Sequence, residues 1–128
     1  MALENKADKS FKVNISFNGG RCSMSISGRC DWTKDSVVIN KHLKTIWTHN
    51  EITDLDFDCR GLFFMGYDDG SLVTYFLALI LELRNKCNQK NIKFSVRLKS
   101  REQVDLFNLW GGRMWKILEK NLLFDNPD

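Results

Sequence analysis

Four stretches of the chain alternate apolar and polar residues one by one, and this pattern restricts the fold more than any other feature. Phe11, Val13, Ile15 and Phe17 are separated by Lys12, Asn14 and Ser16. Cys22, Met24 and Ile26 alternate with Ser23, Ser25 and Ser27. Leu55 and Phe57 sit among Asp54, Asp56 and Asp58, and Ile92, Phe94, Val96 and Leu98 among Lys93, Ser95, Arg97 and Lys99. Successive side chains of a strand point to opposite faces, so each run is a strand with one apolar and one polar face. A sheet of such strands has one wet face and needs helices over the other.

The segments between the strands supply those helices. Asn18-Gly19-Gly20 suits a tight hairpin turn, which needs residues tolerant of positive φ. From Asp31 to Asn50 the period changes to that of a helix, with Ile39, Leu43, Ile46 and Trp47 on one stripe and Asp31, Thr33 or Asp35 available as caps. After the third strand, Cys59-Arg60-Gly61 reads as a loop that leads to Tyr67-Asp68-Asp69-Gly70-Ser71. A long helix starts there. It carries Val73, Phe76, Leu77, Ile80 and Leu83 at helical spacing and ends near Asn88. Ser100 with Gln103 fits a capping box for a third helix, which Trp110-Gly111-Gly112 stops. Met114 to Phe124 reads as a last amphipathic helix.

The order β-β-α-β-α-β-α-α predicts an α/β fold, a small mixed four-stranded sheet with helices packed on one face. Each strand-helix-strand crossover should be right-handed and place parallel strands side by side. The expected organisation is a flexible N-terminus over 1–10, a single domain over 11–112, and a C-terminal amphipathic helix over 113–128.

Composition agrees with one packed domain. The chain has 128 residues, 43% of them hydrophobic and 12% aromatic, with a single proline, which excludes collagen and argues against disorder. Its longest stretch without a charge, Gly70 to Leu81, is 12 residues, short of the roughly 20 that a membrane-spanning helix needs. The first residues carry no apolar signal core, so a cytoplasmic location is expected, and Cys22, Cys30, Cys59 and Cys87 should then be free thiols.

Candidate chemistry is sparse. The sequence has no nucleophile elbow, Walker A loop, zincin motif or dinucleotide fingerprint, and no enzyme activity or cofactor is expected. His42 and His49 lie seven apart with no further ligand at metal spacing. Asp56 and Asp58 read as solvated on a wet strand face, and Asp68 and Asp69 as caps of the long helix, rather than as metal ligands. Charge is uneven along the chain: Glu51 to Asp69 holds six acids and one base, and Arg84 to Arg101 holds seven bases and no acid. The row Lys93, Arg97 and Lys99 is therefore a candidate anion-binding face. The net charge of +3 gives no expectation of nucleic-acid binding.

Four segments resemble the STAS domain family, the anti-sigma-factor-antagonist domains that also recur in sulfate transporters and lipid-transport ABC systems. Ser27-Gly28-Arg29-Cys30-Asp31 is similar to the family's "G-x-L-D" before its first helix. Leu55-Asp56-Phe57-Asp58-Cys59-Arg60-Gly61-Leu62 is similar to its central strand, and Ser100 to Gly112 to its last segment. Asp69-Gly70-Ser71-Leu72 falls where the family has D-S-x-G or D-G-A-G, with an insertion over Met65 to Asp68. The resemblance implies a non-catalytic interaction module. In this register Gly70 stands where regulated members carry a phosphorylatable serine, and Ser71 is the nearest hydroxyl.

The D-G-A-G-like form is most similar to the STAS domain of Mla-type phospholipid-transport ABC systems. The expected function is therefore a regulatory module of a lipid-transport ABC system, with ABC ATPase and permease subunits as partners, membrane association through the permease, and 113–128 as a linker towards it. A free-standing antagonist in a sigma-factor switch and a small-anion or nucleotide-binding module are the alternatives. The expected partner-binding residues are Tyr67, Asp68, Asp69, Gly70 and Ser71. A homodimer is compatible with the sequence.

Overall fold

A computed structural model describes residues 10–49, 51–63, 70–99, 101–118 and 122–124. The strands are β1 (Lys12–Asn18), β2 (Arg21–Gly28), β3 (Asp54–Leu62), β4 (Lys93–Leu98) and β5 (Leu122–Phe124). The helices are α1 (Trp32–Trp47), α2 (Gly70–Gln89), α3 (Arg101–Gly111) and α4 (Arg113–Leu118). The sheet runs β1-β2-β3-β4-β5, antiparallel between β1 and β2 and parallel thereafter. The four strands legible from their alternation form the mixed α/β sheet as expected, and a short fifth strand extends it.

The hairpin closes through Gly19 and Gly20, with Asn18 paired to Arg21. Gly19 has φ +63°, the value that a type II′ turn requires at its first central residue and that glycine adopts without strain. Alternation then sets which face is covered. Cys22, Met24, Ile26, Leu55, Phe57, Phe94, Val96 and Leu98 are buried, whereas Ser23, Ser25, Asp56, Asp58, Ser95 and Arg97 on the opposite face are half-exposed. The helices cover the apolar face. Ile39 and Ile46 of α1, Phe76, Leu77 and Ile80 of α2, Phe107 of α3 and Leu118 of α4 join the strand residues in one core. Each such side chain contributes on the order of 1.5–3 kcal/mol when fully buried.

Two expectations are corrected. The segment Cys59-Arg60-Gly61 is not a loop but the second half of β3. Register with β2 slips there, because Ser25 pairs with Asp58 and Ser27 with Gly61, so β3 carries one extra residue. The bulge is possible because Gly61 lacks a side chain: a Cβ there would lie 2.6 Å from Cβ of Ser27. The helix expected over 114–124 ends at Leu118, and Leu122–Phe124 pairs parallel to β4 from Val96 to Leu98. The uncovered edge of β4 offers backbone partners to this apolar segment, and the ladder replaces a further helical turn. The segment 113–128 is thus not one continuous helix. Residues 1–9 of the expected N-terminal segment, and Ser100 of the expected capping box, lie outside the described residues.

Candidate functional site at the start of the crossover helices

β2 and β3 are parallel neighbours, and each runs into a helix on the same side of the sheet, so the N-terminal turns of α1 and α2 lie together. Asp31 caps α1. Its carbonyl accepts the N–H groups of Lys34 and Asp35 at 3.0 and 2.7 Å, and its carboxylate accepts the Thr33 hydroxyl at 2.7 Å. The Asp35 side chain, buried at 7% exposure, turns back and accepts the Asp31 N–H at 2.7 Å. This is one half of a capping box, shifted by one residue; the Asp31 carboxylate itself makes no bond to a backbone N–H of the first turn. The Asp35 contact ties the chain back on itself just where β2 gives way to α1.

Beside this cap lies an open concavity of about 480 Å³, lined by residues that include Arg29, Trp32, Thr33, Ser71, Leu72 and Tyr75. Trp32 stacks on Tyr75 with ring centroids 5.3 Å apart, and meets Phe76 edge-on at 5.2 Å. Phe76 is fully buried, so it anchors the stacked pair to the core, while Tyr75 stays 47% exposed. Of the expected partner-binding residues, Gly70 opens α2 and is buried, and Ser71 is exposed on the rim. Tyr67, Asp68 and Asp69 lie outside the described residues.

Arg29, Trp32 and Tyr75 were not singled out as contact residues from the sequence. Tyr75 had a usable signal: it follows Ser71 by four, so the two share the helix face opposite Val73, Phe76, Leu77 and Ile80. Trp32 had none, because its role depends on α2.

The arrangement offers a surface rather than a cleft. Strand order follows chain order throughout, so the sheet has no switch point where successive connections diverge and open a crevice. Cys30 lies in the concavity wall, but burial, with smaller contributions from Asp35 and Asp31, pushes its thiol up to about 12. It is a protonated thiol at neutral pH and a poor nucleophile. Among the described residues no group of three or more His, Cys, Asp or Glu side chains could hold a metal ion. No helix among them is long and apolar enough to cross a membrane.

The candidate anion face is on the open side of the sheet, away from this concavity. There the acidic strand β3 pairs with the basic strand β4: Asp54 faces Lys93, Asp56 faces Ser95, and Asp58 faces Arg97. Arg97 Nε donates to Asp56 Oδ2 at 2.6 Å, and the Ser95 hydroxyl donates to the other oxygen at 3.1 Å. Asp58 takes a two-pronged contact from Arg60, at 2.9 and 2.8 Å, and the Arg60 backbone N–H at 3.0 Å. Burial alone raises the Asp58 carboxyl. The hydrogen bonds and charge of Arg60, helped by Arg97, outweigh this and hold it below the usual carboxylate value. Lys93 and Lys99 are exposed at the ends of the row. Acidic and basic blocks far apart in sequence thus neutralise one another in space.

No family model matches the sequence, and no curated protein is similar to it at a significant level. Solved structures do match. One is the anti-sigma factor antagonist SpoIIAA in its unphosphorylated form, with TM-score 0.61 and 14% identity over 92% of this chain and 90% of that one. Another is an anti-sigma factor antagonist from Mycobacterium paratuberculosis, with TM-score 0.57 and 15% identity over 94% of this chain and 88% of that one. At these identities the likeness establishes the fold: the chain has the STAS fold of anti-sigma factor antagonist domains.

Proposed function

We propose that the chain is a non-catalytic regulatory module that works by docking a partner protein on the first turns of α1 and α2. The observation that carries this reading is the Trp32–Tyr75 stack, half-buried at Trp32, exposed at Tyr75 beside Ser71, and backed from beneath by Phe76. Tryptophan and tyrosine are the side chains that most often dominate protein contacts, because they bring large area at low entropic cost. A capped rim around them keeps that cost low on binding.

Two partner classes are consistent with the module. Matches to anti-sigma factor antagonists over nearly their full length support a free-standing antagonist that binds a regulatory protein of a sigma-factor switch. The glycine at position 70, in the D-G-A-G-like register, supports docking to the ATPase of a lipid-transport ABC system at the cytoplasmic face of the membrane. The antagonist reading is the stronger, because the segment after α4 joins the sheet through β5 rather than continuing as a linker helix.

Titration calorimetry against a purified anti-sigma factor and a purified ABC ATPase from the source genome separates the two. Tyr75→Ala should weaken binding to the true partner about tenfold, or roughly 1.4 kcal/mol, the size of a moderate hot spot. If Tyr75→Ala and Ser71→Glu both fold and bind as well as the parent chain, the contact lies elsewhere.

A further inference from the structure

The two edges of the sheet differ. β5 is three residues long, whereas β1 is a regular seven-residue strand whose outer side, among the described residues, pairs with nothing. Sheet edges are usually protected by a proline, a bulge, an inward-facing charge or a run of lysines. β1 has a regular register against β2 from Lys12 to Asn18, no proline and one charge, Lys12, at its end. Its helix-side row, Phe11, Val13, Ile15 and Phe17, is only partly covered, with Phe17 38% exposed and stacked on His49 at 4.3 Å. The flank of α1 turned away from α2 adds Val38, also 38% exposed. An extended apolar strip therefore lies along an edge that no described residue pairs with.

We infer that β1 is a self-pairing edge: two copies of the chain join antiparallel through β1, making one continuous sheet across a twofold axis at Ile15. The polarity and charge pattern of β1 fits its own copy. Pairing about Ile15 sets Val13 against Phe17, Asn14 against Ser16, and Lys12 against Asn18 of the mate. Within Lys12–Asn18 every apolar residue meets an apolar one and every polar residue a polar one, and both strands are used along their whole length. The two Lys12 ammonium groups stay about six residues, roughly 20 Å, apart, beyond the Debye length of about 8 Å at physiological salt. Parallel pairing in register would set Lys12 beside Lys12. The contact is small, seven strand residues per chain against the roughly 20–30 of a standard interface, so association belongs in the micromolar range.

Sedimentation of the full chain between 5 and 200 µM tests this. The weight-average mass should rise with concentration from 14.9 kDa towards twice that value. Asn14 and Ser16 are exposed on the polar face, so changing both to Lys should leave the fold intact, checked by circular dichroism. It should hold the chain monomeric, because lysines then face lysines across the axis. Changing both to Glu should do the same, and an equimolar mixture of the two variants should recover the dimer. A chain that stays monomeric to 200 µM overturns the proposal. So does a dimer that survives both variants, or a mixture that fails to associate while each variant is folded.

Discussion

Asp58 is the residue whose ionisation the structure uses most plainly. Its side chain is 16% exposed and is gripped by Arg60 through a near-symmetric pair of contacts. The folded carboxyl titrates below its usual value, so the pair stabilises the fold fully at pH values above the unfolded-state value of about 4. That contribution is lost as pH falls through the lower, folded value. Asp58→Asn should cost about 1–2 kcal/mol at pH 7, the scale of a charge-assisted hydrogen bond. Urea melts at pH 7, 5, 4 and 2.5 should show the cost undiminished at pH 5 and shrinking below 4. A cost that persists at pH 2.5 would assign it to packing instead. The thiols make the opposite case. Burial raises Cys22 to about 11 and Cys87 to about 12. At pH 8 a thiol raised from its usual value to about 11, as Cys22 is, has its thiolate fraction lowered about 100-fold. Ellman's reagent should therefore label the native chain far more slowly than the chain in 6 M guanidinium, where all four should react at once.

Among the elements, the bulge of β3 is the most sensitive to a single methyl group. Gly61→Ala would bring its Cβ to 2.6 Å from Cβ of Ser27 and 3.2 Å from its Cα, a backbone atom that cannot rotate away. The strands must part, at about 1–3 kcal/mol, the usual scale of overpacking; a denaturation midpoint equal to that of the parent chain would contradict this. The same element shows what the sequence could and could not reveal. Leu55 and Phe57 announce a strand because each lies between aspartates, but beyond Cys59 the alternation breaks. A chain with one residue too many for its period looks like a loop until its neighbour is known. The end of the chain failed for a related reason. Leu122, Leu123 and Phe124 continue the apolar stripe of Met114, Ile117 and Leu118, and nothing local separates another helical turn from three residues of strand. The edge of β4 makes the choice, and that edge exists only in the folded sheet. The four alternating strands and two long helices were legible because each carries several periods of its own pattern. The Trp32–Tyr75 contact was not, because it joins two elements more than 40 residues apart in the chain.

For the whole molecule, pairing β3 with β4 turns a charge-segregated chain into a charge-balanced surface. Read along the chain, Lys93, Arg97 and Lys99 look like an anion-binding row; in the sheet, Asp54 stands opposite Lys93, and Asp56 is diagonal to Lys93 and bonded to Arg97. A polyanion must then compete with carboxylates already fixed 2.6–2.9 Å from Arg97 and Arg60. Asp56→Asn with Asp58→Asn removes those competitors and raises the net charge of +3 by two. The double variant should elute from heparin at higher salt than the parent chain. Its affinity for a single-stranded polyanion should gain up to two units of salt-dependent slope times about 0.7, the signature of two newly available cations. Equal elution would mean that the basic row was open all along, and the anion-binding alternative would regain its footing against protein docking at Trp32 and Tyr75.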